Sequence, residues 1–410
     1  MDPTPTILRH FASLKYAPPK GRFTVLAAFY LVDAHQDVED QRVMVISMAT
    51  GTKCLATKNY SKIGDVVHDF HAEVLARRGA VRWLLQEMTR ESEWLVAHAN
   101  DEWTLREGLT LHMYISELPC GEASTRATAL LQTLANPQMA ALKSQATADP
   151  QNISQGLARG REGYELLNRV RTKPGRADAP VTNAMSCSDK IALWCGVGIQ
   201  GALPVSLGLR PIYINSITIG SVHGVEALQG AEKLLLEDCN RAFRGRLGDI
   251  ALGDGYSIYR PEVTFTPSIF EYGRVTAPER SSCNEAMCWI ANEATVEVLN
   301  NGIRRGTLSK NRALPALRPR VCKASLYVIY QRALAWRTGS DRMSGAITYH
   351  AAKHGGAGAD SETGCDPAQA IRGQALRLRA YHTAKERLRG NNGPLHGWVR
   401  CTGDYETFVL

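Results

Sequence analysis

Three short segments of the chain hold side chains that could bind a metal ion and move protons. They are residues 69–73 (DFHAE), 117–122 (ELPCGE) and 185–190 (MSCSDK). Each lies where a helix is predicted to begin, and the second comes directly after a predicted strand. Their side chains, above all those of His71, Cys120 and Cys187, could therefore converge on one ion.

One histidine and two cysteines are suitable ligands for tetrahedral zinc, with the fourth position left open for water, as in a catalytic site. A helix N-terminus favours the thiolate that each cysteine needs as a ligand, because it carries partial positive charge and free N–H donors. Glu73 lies two residues after His71, so its carboxylate can stand beside the metal without binding it. That position suits a general acid and base that moves protons between water and a substrate nitrogen.

An H-x-E motif followed by P-C is typical of zinc-dependent nucleoside and nucleobase deaminases. Those enzymes carry a second cysteine three residues after the first, but here that residue is Ala123. The third ligand must come from elsewhere, and Cys187 lies 67 residues after Cys120. A lone H-x-E occurs by chance, and a buried cysteine is usually a small apolar residue. Three fragments of suitable type, each at a helix start, favour the functional interpretation.

Runs of β-branched and apolar residues predict the strands that position these segments. Residues 22–32 and 41–48 predict an antiparallel pair. Further strands are predicted at residues 111–116, 211–220, 286–298 and 303–308, the last two around an Asn-Asn-Gly turn.

Helices are predicted between these strands. One begins at Ala72, with apolar residues at spacings of three, four and seven, and another is capped by Ser188. Residues 369–388 predict a strongly basic helix. The pattern indicates one α/β domain over residues 1–410, with 136–160 and 355–367 as insertions or loops.

Composition restricts the class of protein. The chain has 410 residues and 44% hydrophobic residues, which excludes collagen-like and wholly disordered proteins. Its 48 Lys and Arg against 40 Asp and Glu give a net charge of +8, which favours an anionic partner. We find neither a secretory signal nor the roughly 20 apolar residues of a spanning helix. We expect an intracellular protein, in the nucleus and/or cytoplasm, with reduced cysteines and no membrane association.

Longer stretches around the three segments resemble the adenosine deaminase domain of the ADAR RNA-editing enzymes and their tRNA-acting relatives. The resemblance is carried by residues 70–85 (FHAEVLARRGAVRWLL), 116–124 (SELPCGEAS) and 185–220, which open with MSCSDKIALWCGVGIQG. Residues 49–54 (ATGTKC) and 320–327 (RVCKASLY) also fit. The resemblance implies a deaminase-type core, with a central mixed β-sheet flanked by helices, and a C-terminal helical extension.

Within that family, residues 171–176 (RTKPGR) look like the tRNA deaminases. ADAR editors carry a base-flipping Glu where this chain has Gly175. The better match is the eukaryotic group that makes inosine at position 37 of alanine tRNA, in a single-stranded loop where flipping a base costs less than in a duplex. The residues expected to contact this tRNA are Thr52 and Lys53 near the target nucleotide, and Arg171, Lys173 and Arg176 against the anticodon-arm backbone.

Carried onto this chain, the resemblance implies a zinc ion on His71, Cys120 and Cys187, with Glu73 as the proton shuttle. Family members also bury one inositol hexakisphosphate behind the catalytic centre. Its ligands here, by resemblance, would be Arg77, Arg78, Lys190, Lys323, Tyr381, Lys385 and Trp398. Leu193 replaces an arginine of many relatives, which removes one phosphate contact. Asp69 and Lys190 would connect the polyphosphate to the active site.

Other interpretations stay open. A deaminase of free nucleosides would leave the basic residues 304–320 without a role, and an ADAR-like editor would act on other RNA. A non-catalytic RNA-binding protein with a structural zinc would have no use for Glu73. We expect no obligatory protein partner.

Overall fold

The computed structural model describes residues 2–34, 43–135, 156–160, 163, 166–173, 179–222, 224, 230–339, 347–355, 367–401 and 403–410. The strands of its central sheet are β2 (Leu26–Asp33), β3 (Val43–Thr50), β8 (Leu109–Ile115), β11 (Ile214–Ile219), β12 (Glu262–Phe265), β14 (Glu285–Ile290), β15 (Glu297–Asn300) and β16 (Ile303–Arg304). They form an eight-stranded sheet in the order β12-β11-β8-β2-β3-β14-β15-β16.

Short strands pair beside this sheet. They are β1 (Arg22–Phe23) with β13 (Ser281–Ser282), β4 (Thr52–Cys54) with β5 (Asp69–His71), β6 (Leu95–Ala97) with β7 (Trp103–Leu105), and β9 (Leu157–Arg159) with β10 (Val170–Thr172).

The large sheet is mixed, and its register places several strand ends at one edge. Strands β8, β11 and β12 run parallel, whereas β2 runs antiparallel to both β3 and β8. Ala27 of β2 pairs with Ala49 on one side and with Ile115 on the other. The carboxyl ends of β3 and β8 therefore emerge together, and the chain segments that follow them are close in space. This is the edge at which the candidate site forms.

The helices among the described residues are α1 (Thr4–Ser13), α2 (Ala72–Glu87), α3 (Thr125–Ala135), α4 (Cys187–Val197), α5 (Ala202–Ser206), α6 (Ala231–Phe243), α7 (Lys323–Thr338), α8 (Tyr349–His354) and α9 (Pro367–Arg389). Helix α2 packs against β2, β3 and β14, and α9 packs against α4 and α5. None of the described helices is both long enough and apolar enough to cross a bilayer.

Both faces of the sheet are buried, which explains why β2 reads as a continuous apolar run. Phe29 and Leu31 join the large core that contains α2. Leu26 and Tyr30 point to the opposite face, in a smaller core with Phe11 of α1. Alternate residues of one strand thus stabilise two cores, as in sheets covered on both sides.

The predicted fold class is confirmed: the structure has a central mixed sheet flanked by helices and a C-terminal helical region. The antiparallel pair, the helix from Ala72 and the basic C-terminal helix are also found. The predicted strand over 286–298 is two strands, β14 and β15, because residues 291–296 turn the chain between them, beginning with a hydrogen bond from the Glu293 N–H to the Ile290 carbonyl. Residues 136–155 and 356–366, most of the two predicted insertions, lie outside the described residues.

Candidate active site

His71 is held at the junction between β5 and α2. It is the last residue of β5 and the N-cap of α2, and its backbone N–H donates to Asp69 Oδ1 at 3.1 Å. Strand β5 lies against β4, with Thr52 opposite His71. The turn into β4 requires Gly51, whose φ is +152°, because a Cβ there would lie 2.0 Å from the Phe70 carbonyl oxygen. The histidine is thus fixed by a short strand pair at the end of β3.

Cys120 follows β8 in a tight turn that only glycine permits. Gly121 has φ +100°, and a Cβ at this position would lie 2.2 Å from Ser186 Oγ. The Cys120 carbonyl accepts hydrogen bonds of 3.0 Å from both the backbone N–H and the hydroxyl of Ser188. These contacts hold the turn after β8 against the first turn of α4.

Cys187 is the first residue of α4, and this helix start corrects the predicted cap. Ser186, rather than Ser188, caps the helix, with its Oγ accepting from the Asp189 N–H at 3.2 Å. Ser188 instead binds the Cys120 turn through its hydroxyl. The cap therefore lies two residues earlier than predicted, and the Cys187 N–H points at Cys120 Sγ, 3.4 Å away.

The three predicted ligands converge. His71 Nδ1 lies 3.6 Å from Cys187 Sγ and 3.9 Å from Cys120 Sγ, and all three ligand atoms lie within 4.8 Å of one another. A tetrahedral zinc ion with nitrogen at about 2.0 Å and sulfur at about 2.3 Å has N···S edges of about 3.5 Å. The spacing therefore fits a zinc ion with three protein ligands and one free position.

The two thiols differ in the metal-free cluster. A hydrogen bond from Cys187, with the nearby charges of Lys173 and His71, lowers the pKa of Cys120 well below its ordinary value. Burial raises the pKa of Cys187. One thiolate and one thiol can thus share the cluster, and a divalent cation held by His71, Cys120 and Cys187 would favour the thiolate form of both cysteines.

Glu73 stands beside this cluster with a free carboxylate oxygen. The residue is 3% exposed, and its buried Oε2 has no hydrogen-bond partner within the described part of the chain. Burial raises the pKa of Glu73, against the opposing effect of His71. A buried, unpartnered oxygen is costly unless something binds there, and a water or a substrate N–H at the cluster would satisfy it. This is the position that a proton shuttle needs.

A buried cation lies behind the cysteines. Lys173 is 2% exposed and donates to both oxygens of Asp69, at 3.1 and 2.9 Å, and to Cys187 Sγ at 3.1 Å. Burial alone would lower the pKa of Lys173, but Asp69 and Cys187 raise it well above its ordinary value. Lys190 also binds Asp69. A chain of alternating charges thus runs from Cys187 through Lys173 and Asp69 to Lys190.

The predicted RNA-contacting residues divide into two groups. Thr52 and Lys53 lie at the open edge of the site, where Thr52 donates to the Cys283 carbonyl at 3.0 Å and Lys53 to Ser282 at 2.7 Å. The prediction that Lys173 and Arg171 lie against the RNA backbone is wrong, because both are buried. Arg171 is 1% exposed and donates to the carbonyls of Gly163 and Leu166. Arg176 lies outside the described residues.

The seven predicted polyphosphate ligands lie on α2, on α4 and α7, which pack against α2, and on or just after α9, which packs against α4. Arg77 and Arg78 of α2 each donate Nε to a backbone carbonyl, at 2.6 Å, and within the described residues their terminal nitrogens have no hydrogen-bond acceptor. Lys190 is on α4 and Lys323 is on α7. Tyr381 and Lys385 are on α9, and Trp398 follows that helix.

This region holds more positive than negative charge. Lys385 Nζ lies 5.0 Å from the Tyr381 ring centre, and burial lowers the pKa of Lys385 well below its usual value. Arg389, Lys353 and Arg77 lower that pKa further, whereas the nearby Glu406 raises it. Buried cations without matching anions need an external anion, so the region fits a polyphosphate.

The sequence analysis missed three charged residues of this region, Lys353, Arg389 and Glu406. Glu406 pairs with Lys353 at 2.6 Å and with the predicted ligand Lys323 at 3.2 Å. Arg389 Cζ lies 5.5 Å from the Trp398 ring centre. Arg389 follows Tyr381 and Lys385 at a spacing of four, so it shares their helix face and could have been found from that period. No sequence signal connects Glu406, near the C-terminus, with this cluster.

An α/β core that brings one histidine, two cysteines and a non-ligating glutamate together is typical of zinc-type deaminases. His71 and Cys187 lie at helix starts as predicted, but Cys120 lies in the turn after β8, five residues before α3 begins. The comparisons with known proteins agree. Residues 47–359 match the adenosine-deaminase (editase) domain. The chain is similar to tRNA-specific adenosine deaminase 1 of Schizosaccharomyces pombe, with 31% identity over 327 residues, which cover 74% of this chain and 76% of that protein.

Two further relatives fit the same picture. The mouse tRNA-specific adenosine deaminase 1 is 25% identical over 431 residues, covering 77% of this chain and 83% of that protein. The double-stranded RNA-specific adenosine deaminase of Rattus norvegicus is 30% identical over 218 residues, covering 48% of this chain and 17% of that protein. The chain belongs to the adenosine-deaminase (editase) domain family and is an enzyme that acts on adenosine.

Proposed function

We propose that this enzyme uses zinc to deaminate adenosine to inosine in tRNA, with adenosine 37 of alanine tRNA as its substrate. The observation that carries the proposal is the convergence of His71, Cys120 and Cys187 beside a buried glutamate with a free oxygen. The tRNA part rests on the named activity of relatives that span about three quarters of the chain.

The protein's own groups can perform the proton transfers of a hydrolytic deamination. A zinc ion on the three ligands would supply a Lewis acid that makes water nucleophilic near neutral pH. Glu73 accepts the proton of the water that attacks C6 of adenine and delivers it to N1. Glu73 then takes the proton of the new C6 hydroxyl and delivers it to the amino nitrogen. The C6–N bond breaks, ammonia leaves, and the C6 carbonyl of inosine remains. The raised pKa of Glu73 suits a group that must both take and give a proton.

The edge formed by β4 and β13 is the proposed entrance for the target nucleotide. Lys53 and Thr52 lie there, bound to residues 282–283, next to the strand that carries His71. A cation at this rim favours the phosphate beside the flipped nucleotide, whereas the buried cluster receives the base. Lys53 therefore positions the substrate and takes no part in the proton transfers.

We further propose that the cationic region around α2 holds one inositol hexakisphosphate as a structural cofactor. The support is the buried Lys385 with three neighbouring cations, and the buried Nε of Arg389 that has no partner among the described residues. The bound anion would be held by Arg77, Arg78, Lys190, Lys323, Tyr381, Lys385 and Trp398. Leu193 offers no charge to the anion, whereas Arg389, which lies over the Trp398 ring, supplies a cation beside one of these ligands.

The test of the proposed activity compares two RNA substrates with the purified protein. One is an unmodified transcript of alanine tRNA, and the other is a perfect duplex that carries the same adenosine in the same local sequence. Inosine formation, read by reverse transcription and sequencing, should be far faster on the tRNA. Equal rates would reassign the enzyme to general RNA editing, and conversion of free adenosine alone would reassign it to nucleoside metabolism.

A further inference from the structure

A long stretch of the sequence near the candidate site carries positive charge only. Between Glu297 and Asp341 there are nine lysines and arginines and no acidic residue. The first part, residues 303–320, is called here the basic segment. It begins in β16 and continues through two short 3-10 turns, Ser309–Asn311 and Pro315–Leu317. The proposed chemistry gives these charges no role.

The basic segment begins at the edge of the sheet where the metal cluster lies. Cys288 of β14 pairs with Ala49 of β3, and β14 and β15 extend three residues further, to the pair of Glu285 with Asn300. The turn after Asn300 therefore emerges on the same side as the ends of β3 and β8. Strand β16 is three strand spacings from β3, about 14 Å.

Direct contacts fix the segment to the loop that leads to His71. The Gly302 carbonyl accepts from the Val67 N–H at 2.8 Å, two residues before β5. Arg312 pairs with Asp65 of the same loop at 3.1 Å. Gly302 has φ +74°, and a Cβ there would lie 2.2 Å from the Val67 carbonyl oxygen. The segment is thus anchored beside the entrance to the site.

Other cations of the basic segment, apart from the paired Arg312, face solvent. Arg304, Arg305 and Lys310 are exposed, and neither Arg304 nor Lys310 has a carboxylate within ion-pair distance in the described ranges. Arg304 and Arg318 instead donate to the carbonyls of Ala316 and Ala313, within the segment itself. Leu308 and Leu314, 61% and 52% exposed, lie among these cations. Unpaired cations on an anchored surface favour a polyanion, and apolar groups between them can lie against ribose.

We propose that the basic segment is a second RNA-contacting surface, which binds the tRNA backbone outside the reacting loop. The inference rests on the proposed tRNA substrate, and it assigns the surface of the enzyme on which the rest of that tRNA lies. Phosphates held about 14 Å from the β3 end of the site would orient the RNA while the reacting nucleotide enters the pocket. These contacts carry no sequence information, so they raise affinity for RNA in general and contribute to its salt dependence.

The test uses the double variant R304Q/K310Q and the control R332Q/R379Q, which removes the same charge from exposed positions of α7 and α9. The test variant should raise KM for the tRNA transcript several-fold at unchanged zinc content. It should also reduce the slope of log kcat/KM against log salt by about 1.5, since each lost phosphate contact removes about 0.7 to 0.9. A short hairpin that holds only the reacting loop should be deaminated equally by wild type and variant.

The outcomes separate this inference from the proposed function. A wild-type enzyme that deaminates no tRNA contradicts the proposed function itself. A wild type that deaminates tRNA, with equal KM and salt slope in the test variant, overturns the inference alone. A test variant with unchanged KM and salt slope that nevertheless aggregates would also overturn the inference. The cations would then serve to keep the edge strand β16 from pairing with other chains.

Discussion

Lys173 donates a hydrogen bond of 3.1 Å to the sulfur of Cys187, and both residues are almost completely buried. A lysine that was predicted to face RNA is therefore part of the metal cluster's surroundings. Its other partner, Asp69, is bound in turn by Lys190. The Lys173 ammonium favours the thiolate form of Cys187, which a zinc ion would require, and Asp69 holds that ammonium through two hydrogen bonds.

Replacing Lys173 with Met should destabilise the protein by about 3 kcal/mol, because Asp69 and the thiolate lose a buried countercharge. We expect lower zinc affinity and lower kcat, with KM for tRNA unchanged. Thermal unfolding, metal analysis and steady-state kinetics measure the three effects. The exposed Lys58→Met is the matched control and should change none of them. A Lys173→Met enzyme with normal zinc content and a raised KM for tRNA would instead support the prediction that Lys173 contacts the RNA backbone.

Loss of either cysteine of the cluster should remove the metal. Cys120→Ala and Cys187→Ala each leave two protein ligands, which hold a divalent ion poorly. We expect less than a tenth of the wild-type zinc after dialysis. Cys195→Ala, on the same helix as Cys187, is the control. Burial raises the pKa of Cys195 to about 12, and this thiol is not part of the cluster. Zinc loss in that control would contradict the ligand assignment.

The sequence predicted the chemical centre well because each of its parts is local. His71 and Cys187 lie at helix starts, and Cys120 lies in the turn that follows β8. Such positions follow from apolar periodicity and turn residues. The convergence itself depends on the register of β2 with β3 and β8, which no local pattern encodes. The resemblance to a family supplied that step.

Burial of charged residues was much harder to predict. Arg171 and Lys173 occur in a basic, turn-rich stretch that is typical of exposed loops. They are buried because the carbonyls of Gly163 and Leu166 accept hydrogen bonds from Arg171, and Asp69 binds Lys173. Asp69 is distant from Lys173 in the sequence, and Gly163 and Leu166 belong to no helix or strand. The charge of the stretch alone therefore indicated an exposed loop, which is the wrong location.

Glu73→Gln should keep the fold and the zinc but reduce kcat by at least about 100-fold. The amide has nearly the same shape and is not a metal ligand, but it cannot accept a proton. Single-turnover deamination of the tRNA transcript measures the loss, and metal analysis of the same sample shows that the site is intact. Turnover within a few-fold of wild type would remove Glu73 from the mechanism.

Stability should fall as the pH drops below about 6.5, and His68 is one cause. Burial, with the charges of Lys323 and Arg78, lowers the pKa of His68 from 6.5 to about 3. Between these values the unfolded chain binds a proton that the folded protein does not. Its contribution to stability is therefore complete above pH 6.5 and declines towards pH 3, by at most about 1.4 kcal/mol per pH unit.

The variant His68→Phe isolates this effect. Phenylalanine can keep the stacking on Tyr60, where the ring centres are 3.8 Å apart, and it does not titrate. The slope of Tm against pH between 4 and 6.5 should be smaller than in wild type, whatever the absolute Tm. The exposed His98→Gln should leave the slope unchanged. Identical slopes in all three proteins would exclude His68 as a source of acid sensitivity.

The polyphosphate should act as a folding cofactor. Without an anion, Lys385, Arg389, Lys353 and Arg77 repel one another in a region where burial already lowers the pKa of Lys385. Each uncompensated buried charge costs several kcal/mol, roughly, so expression in a host without inositol hexakisphosphate should give insoluble protein.

The readout that does not depend on activity is the phosphorus content of denatured, desalted protein, together with thermal unfolding. Protein from a host that makes the anion should release phosphorus on denaturation. Adding inositol hexakisphosphate during refolding should raise Tm, because the ligand binds only the folded state. The variant Lys385→Met removes one buried cation, so it should need the anion less and refold without it in higher yield than wild type. Soluble, stable protein that contains no phosphorus would show that the cations of this region are compensated by the chain alone.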